Sequence, residues 1–364
     1  MAAGADGASA PGLPLDRSVH WERRRIDGED DRRVSVTKLA MITSDDGAHT
    51  IVGIERCCST DTPDDAPCEY RVCAWSAGDS RLLWRRTVGE NVVPNDIFPI
   101  VSSEGVRVIA LAIDWASILM MPIDEKEEPW VIAGYLQDNA RLGAYCEVRG
   151  RSKMFWSAGS IAFVSGIARD RCLLTRRAAF DAHTREITSL DATADKGRIL
   201  LATASADHTV RLWNGSSLGR TFGPQPAVRH DGEVKFVAFL PRADEDEPLR
   251  ALSLAAPLVA RVWSVEDRAT IFESTGRPIF SAIVRLAWAP SGANVPVVLS
   301  FDADDELKMW RPDEDGEVIT LGEGDDSWES VACGGSTVAW LAREHGRQYI
   351  AIAHPAPRNK AARA

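Results

Sequence analysis

The stretch from Asp181 to Asn214, DAHTREITSLDATADKGRILLATASADHTVRLWN, most constrains what this chain can fold into. It opens on a His, runs through an alternating apolar stretch into a polar turn, and continues into a second apolar run. An Ala-Asp-His turn follows, and a third run closes on Trp213. Alternation with period two is the signature of strands, and turns this short let consecutive strands pair only as antiparallel neighbours. The closing pattern recurs. LVARVW ends at Trp263 and ELKMW ends at Trp310, at spacings of about 50 residues. Ten positions before each Trp stands a small hydroxyl residue: Thr203, Ser253 or Ser300. Six positions before stand Asp207 and Asp304, with Pro257 as the departure in the middle unit. His183 and His230 precede the first strands of their units, and the third unit has no counterpart. Self-similarity at such a period means a stack of supersecondary units, none of which can bury its apolar face alone.

These residues resemble the WD-repeat β-propeller family, most specifically over residues 181–311. The resemblance implies four antiparallel strands per blade. It also implies a hydrogen-bonded set inside the best-formed unit, made of His183, Thr203, Asp207 and Trp213. The physical need is clear, because a buried indole N–H and a buried hydroxyl must find partners. Weaker units divide at similar lengths: residues 35–87 with Trp75 at a third strand's end, 96–135 with Met120 near the Trp position, and 142–177. Residues 327–354 supply only three strands, and SVHWERRR at 18–25 is the candidate for the fourth. The expected fold is therefore all-β: a seven-bladed propeller of four-stranded antiparallel blades, its ring closed by the N-terminal strand 18–25 pairing with the last blade. Closure removes the open strand edges that invite aggregation. Residues 16–354 form the single expected domain, between Ala-, Gly- and Pro-rich tails at 1–15 and 355–364 that are expected to be disordered. One stretch, AWSAGDSRLLWRRTVG at 74–89, resembles the repeat of pyrroloquinoline-quinone-type propellers. It occurs once, and repetition favours the WD reading.

Composition narrows the function. A net charge of -11 opposes non-specific binding to nucleic acid, which needs clustered Lys and Arg. The seven cysteines include no CxxC pair, so a zinc site is not expected. They read as reduced thiols of a cytoplasmic protein, with a Cys58–Cys68 disulfide reserved for an oxidising compartment. No basic segment leads into an N-terminal apolar run, so no secretory signal is expected. No apolar run reaches the roughly 18 residues of a membrane span. The excess of Arg over Lys and the abundance of Ala suggest a GC-rich, bacterial genome. No GxSxG, GxxxxGK[ST] or GxGxxG segment is present. No catalytic, cofactor-binding or metal-ligating residue is assigned, and no cofactor is expected.

The family resemblance places the turns between second and third strands, with the connections between blades, on one face of the ring. That face would collect Asp61, Asp64, Asp65, Asp114, Asp207, Asp231, Glu233, Asp302, Asp304, Asp305, Asp325 and Asp326, with Trp115 as a possible aromatic anchor. The insertion CCSTDTPDDAPC at 57–68 is long for a hairpin and belongs to the same face. An acidic face attracts basic segments. The expected function is a non-enzymatic scaffold binding a protein or peptide that carries such a segment, with no nucleic acid and no membrane involved. The competing readings are a propeller hydrolase or lyase with a site in its central cavity, and a purely structural subunit.

Overall fold

The computed structural model describes residues 19–25, 32–44, 47–59, 68–79, 81–89, 92–101, 107–113, 117–123, 130–133, 141–148, 151–167, 178–215, 227–240, 242, 246–256, 259–275, 283–288, 296–301, 304, 306–311, 318–323, 331–334, 337–344 and 347–355. Among these residues every regular element is a strand, and all strand pairs are antiparallel. They form seven four-stranded sheets.

In chain order the first sheet holds Arg32–Thr43, His49–Ser59, Glu69–Ser76 and Leu82–Gly89. The second holds Pro94–Val101, Arg107–Ile113, Ser117–Pro122 and Trp130–Ala133. The third holds Arg141–Val148, Arg151–Ala158, Ile161–Ile167 and Ala178–Asp181. The fourth holds Ile187–Asp195, Arg198–Ser205, Thr209–Asn214 and the short Val228–Arg229. The fifth holds Val234–Phe239, Arg250–Ala255, Val259–Ser264 and Thr270–Thr275. The sixth holds Ile283–Trp288, Pro296–Phe301, Glu306–Trp310 and Ile319–Glu323. The seventh joins Val331–Gly334, Thr337–Glu344 and Arg347–Pro355 to the N-terminal strand Val19–Arg25, which pairs from Val19↔Pro355 to Arg25↔Tyr349. The first strand of each sheet lies beside the first strand of the next, and Val331–Gly334 lies beside Arg32–Thr43.

Local chemistry sets the hairpins. Lys196 and Gly197 both have positive φ, 47° and 74°, between the paired residues Asp195 and Arg198. Two central residues with positive φ make the turn whose twist matches the flanking strands. A bulge recurs near the start of the first strand in six sheets, as at Val36/Lys38, Ile187/Ser189 and Val234/Phe236. Each bulge sharpens the local twist of the strand that lies against the neighbouring sheet.

The core is divided among the seams between sheets. Trp213, Ile199 and Leu201 pack with Phe155 and Ala144 of the third sheet, while Val210 and Leu212 pack with Val237, Phe239 and Trp263 of the fifth. The fourth sheet is thus covered on both faces, and Arg198–Ser205 is buried along nearly its whole length. The seam between the seventh and first sheets buries Val36, Met41, Ile51 and Trp75 against Leu341, Ile350 and Ile352. There the Gln348 side chain acts like a strand residue. Its carbonyl accepts from Val36 N at 2.8 Å and its amide donates to Val36 O at 2.9 Å.

The first sheet carries the 74–89 stretch as a third strand, a turn and a fourth strand, with Trp75 buried at the third strand's end. It also holds a buried carboxylate, Glu55, paired with Arg85 Nε at 3.1 Å; the same nitrogen donates to Cys73 Sγ at 3.3 Å. Such a pair survives burial because each charge has the other as its partner. Cys58 and Cys68 are joined by a disulfide across the mouth of the 57–68 insertion, which departs from the expectation of reduced thiols throughout. Cys57, Cys73 and Cys146 are free and buried. Among the described residues no helix is long and apolar enough to cross a membrane.

Candidate functional site

The most connected polar constellation among the described residues belongs to the fourth sheet and starts from a hydroxyl. Thr203 lies in the second strand with no solvent exposure. Its Oγ1 accepts from Trp213 Nε1 at 2.9 Å and lies 2.8 Å from His183 Nε2. His183 Nδ1 lies 2.9 Å from Asp207 Oδ2. One proton arrangement satisfies the chain: the indole donates to the hydroxyl, the hydroxyl donates to Nε2, and Nδ1–H donates to the carboxylate. The imidazole is then neutral. Burial lowers the His183 pKa against the opposing pull of Asp207, which agrees with that state. Burial also pushes the Asp207 carboxyl up. The Thr209 hydroxyl at 2.6 Å, His183 and the Thr184 N–H at 3.1 Å more than offset this, and the group stays ionised below its usual value. Every polar side-chain atom of the set has a hydrogen-bond partner within the corner.

The same positions in the next two sheets show what each member contributes. In the fifth, His230 Nε2 lies 2.8 Å from Ser253 Oγ, but His230 Nδ1 and Trp263 Nε1 are buried without partners. The position matching Asp207 is Pro257, outside the described residues. Burial and the nearby Arg261 charge drive the His230 pKa down to about 4. In the sixth sheet Trp310 Nε1 donates to Ser300 Oγ at 2.9 Å with no His in the unit, and Asp304 is exposed at the turn.

Besides Asp207 and Asp304, the described residues of the proposed binding face are Asp231 and Glu233. They sit in the connection from the fourth to the fifth sheet, beside the Asp207 turn; His230 N donates to His208 O at 2.9 Å. Asp231 is exposed. Glu233 binds Lys235 at 2.6 Å and Arg185 at 3.2 Å, and the Lys235 bond and charge hold its carboxyl below the usual range. Cations therefore accompany the acids here. Asp61, Asp64, Asp65, Asp114, Trp115, Asp302, Asp305, Asp325 and Asp326 lie outside the described residues. Among the described residues no cluster of His, Cys, Asp and Glu is arranged to hold a metal.

Sequence reading missed Asp191, in the first strand of the fourth sheet. Its Oδ1 accepts from Ala192 N at 2.9 Å and its Oδ2 from Phe239 N of the fifth sheet at 2.8 Å. With Thr188 and Ser189, which bond the backbone of Val234 and Val237, it stitches the two sheets together. Burial pushes its pKa up to about 6. A carboxyl whose folded pKa is raised holds its proton longer folded than unfolded, so its contribution to stability falls as pH climbs from about 4 to about 6. Urea unfolding across that window is expected to show this decline in the wild type and a flatter profile in Asp191→Asn. Identical profiles would remove Asp191 as a titrating group.

Comparison with known proteins agrees with this geometry. Residues 171–214 match the family model described as WD domain, G-beta repeat. Two fungal relatives, each named nuclear distribution protein PAC1, align over 86 residues, 23% of this chain: one from Fusarium vanettenii at 34% identity and one from Gibberella zeae at 33%. The aligned part spans only 19% and 18% of those relatives' own length. Among solved structures, a chain of a mitotic checkpoint complex matches with TM-score 0.58 at 14% identity, over 97% of this chain and 98% of its own. The WD40 β-propeller domain of Doa1 matches with 0.55 at 15%, over 92% and 97%. The structure of U3-55K matches with 0.59 at 15%, over 92% and 98%. At such identities the likeness is one of fold.

Proposed function

We propose that this chain, a WD-repeat β-propeller by its repeat and its fold, is a closed ring of seven blades that serves as a non-enzymatic protein-binding platform. The cyclic adjacency of the seven first strands and the pairing of Val19–Arg25 with Arg347–Pro355 support the ring. The observation that carries the function is the corner itself. The His183–Asp207–Thr203–Trp213 network spends its polar groups on rigidity, and the rigid turns carry Asp231 and Glu233 outward. Pre-organised turns lower the ordering cost of docking a partner. The neighbour within a mitotic checkpoint complex is itself part of a protein assembly, which supports protein partners here. The partner favoured is a protein or peptide with a basic segment, and the cytoplasm is the proposed location.

The test is affinity capture from native lysate with the wild type and with Asp231→Lys/Glu233→Lys, at low and high salt. Capture of a specific protein that weakens with salt and is lost in the double variant is the expected result. Capture unaffected by both would overturn the acidic-face reading.

A further inference from the structure

The two faces of the first sheet carry different charges. Successive side chains of a strand alternate between faces, and residues paired across strands share one. The acids in its four strands are Glu55 and Glu69. Both lie on the face toward the seventh sheet, and each has a cation there. Arg85 Nε lies 3.1 Å from Glu55, and Arg71 Nε lies 3.1 Å from Glu69. The opposite face, toward the second sheet, carries Lys38, Arg56 and Arg86 and no acid of these strands.

One register row on that face concentrates hydrogen-bond donors. Ser35, Arg56 and Tyr70 stand opposite one another on three neighbouring strands. All three are half-buried, and Tyr70 packs against the seam that holds Ile54, Val72, Ile97 and Leu111. Arg56 Nε is buried without a hydrogen-bond partner. Among the described residues no group takes up the Arg56 guanidinium, the Ser35 hydroxyl or the Tyr70 hydroxyl. Arg86, in the next row of the same face, is satisfied differently: it donates to Pro122 O at 3.4 Å and lies over the Trp84 ring. Just past the row the Cys58–Cys68 disulfide ties the strand of Arg56 to that of Tyr70. A guanidinium drawn partly out of water without a counter-charge costs free energy, which a bound anion offsets.

We infer that the row Ser35–Arg56–Tyr70 is an anion site, which takes a phosphate group, either free or as a monoester of a small molecule. The planar guanidinium fork matches two phosphate oxygens, and the two hydroxyls donate to what remains. A carboxylate has two oxygens, which the fork alone engages, so the hydroxyls favour phosphate over carboxylate. The disulfide holds the strands of Arg56 and Tyr70 at fixed spacing, which lowers the ordering cost of binding. The site shares no residue with the turn face, so either reading can fail without the other.

Isothermal titration calorimetry with inorganic phosphate, phenyl phosphate and acetate, at equal ionic strength, tests it. The wild-type chain is expected to bind at least one of the two phosphate probes about tenfold more tightly than acetate. Arg56→Gln is expected to weaken phosphate binding by about tenfold or more, the scale of hydrogen bonds to a charged group. Tyr70→Phe and Ser35→Ala are each expected to weaken it about fivefold, the scale of one neutral hydrogen bond. Tighter binding of phenyl phosphate than of inorganic phosphate identifies a monoester site, and the reverse identifies a site for the free ion; both support the assignment. Arg56→Gln removes a charge that has no partner, so it is expected to melt no lower than the wild type without phosphate. Should it not fold, Tyr70→Phe carries the test. No binding of either phosphate probe to the wild type, acetate bound as tightly, or phosphate binding unchanged in the folded variant overturns the assignment.

Discussion

Replacing Trp213 with Ala is expected to destabilise the protein by about 3–5 kcal/mol, the range for removing a large buried aromatic. Trp213 is 3% exposed and fills the seam between the third and fourth sheets, touching the cluster of Phe155, Ile187, Ile199 and Leu201. The loss has two parts: a cavity that packed sheets cannot collapse around, and the hydrogen bond to Thr203. A paired substitution separates them. Trp213→Phe keeps most of the packing and removes the indole N–H, so Thr203 loses one partner. Trp263→Phe removes an N–H that has no partner in the folded state. Trp213→Phe is therefore expected to cost about 1 kcal/mol more than Trp263→Phe in denaturant unfolding. Equal costs would show that the network adds nothing beyond packing.

Among the described glycines, Gly232→Ala is expected to disturb the turn face most. A Cβ at this position would lie 1.7 Å from the Ala256 carbonyl oxygen and 2.8 Å from its carbon. Both obstacles are backbone, and Ala256 N is itself tied to Glu233 O at 3.0 Å, so neither side can yield alone. The connection between the fourth and fifth sheets must shift, taking Asp231 and Glu233 with it. The expected stability loss is about 1–3 kcal/mol, as for other overpacked sites. If the partner docks on this face, affinity falls by more than the loss of folded protein explains. Gly78→Ala, with open space around the added methyl, is the control expected to do neither. A Gly232→Ala variant with wild-type melting would mean that this close approach relaxes freely.

The elements that could be read from sequence are those governed by local chemistry. The hydroxyl ten positions before Trp213 and Trp310 does accept the indole N–H, because a hairpin of that length brings Thr203 and Ser300 beside their Trp. The N-terminal strand at 18–25 was legible from a deficit, since residues 327–354 offer three strands and a four-stranded unit needs another. Trp263 broke the rule at the same spacing. Its hydroxyl, Ser253, is held by His230, and the indole stays unpaired in spite of a matching sequence. The Cys58–Cys68 pairing was readable as a possibility only, because sequence spacing does not say whether two thiols meet in the fold.

What the sequence by itself determined is the repeating unit: its strand lengths, its turns, its Trp closures and the corner of the fourth sheet. These follow from periodicity and turn chemistry acting over a few tens of residues. What only the tertiary structure decided are the meetings between units. Asp191 joins Phe239, Glu55 faces Arg85, and Gln348 completes the backbone of Val36. Each depends on how one strand or sheet lies against another. Those are long-range properties, set by packing and loop closure, that no local pattern records.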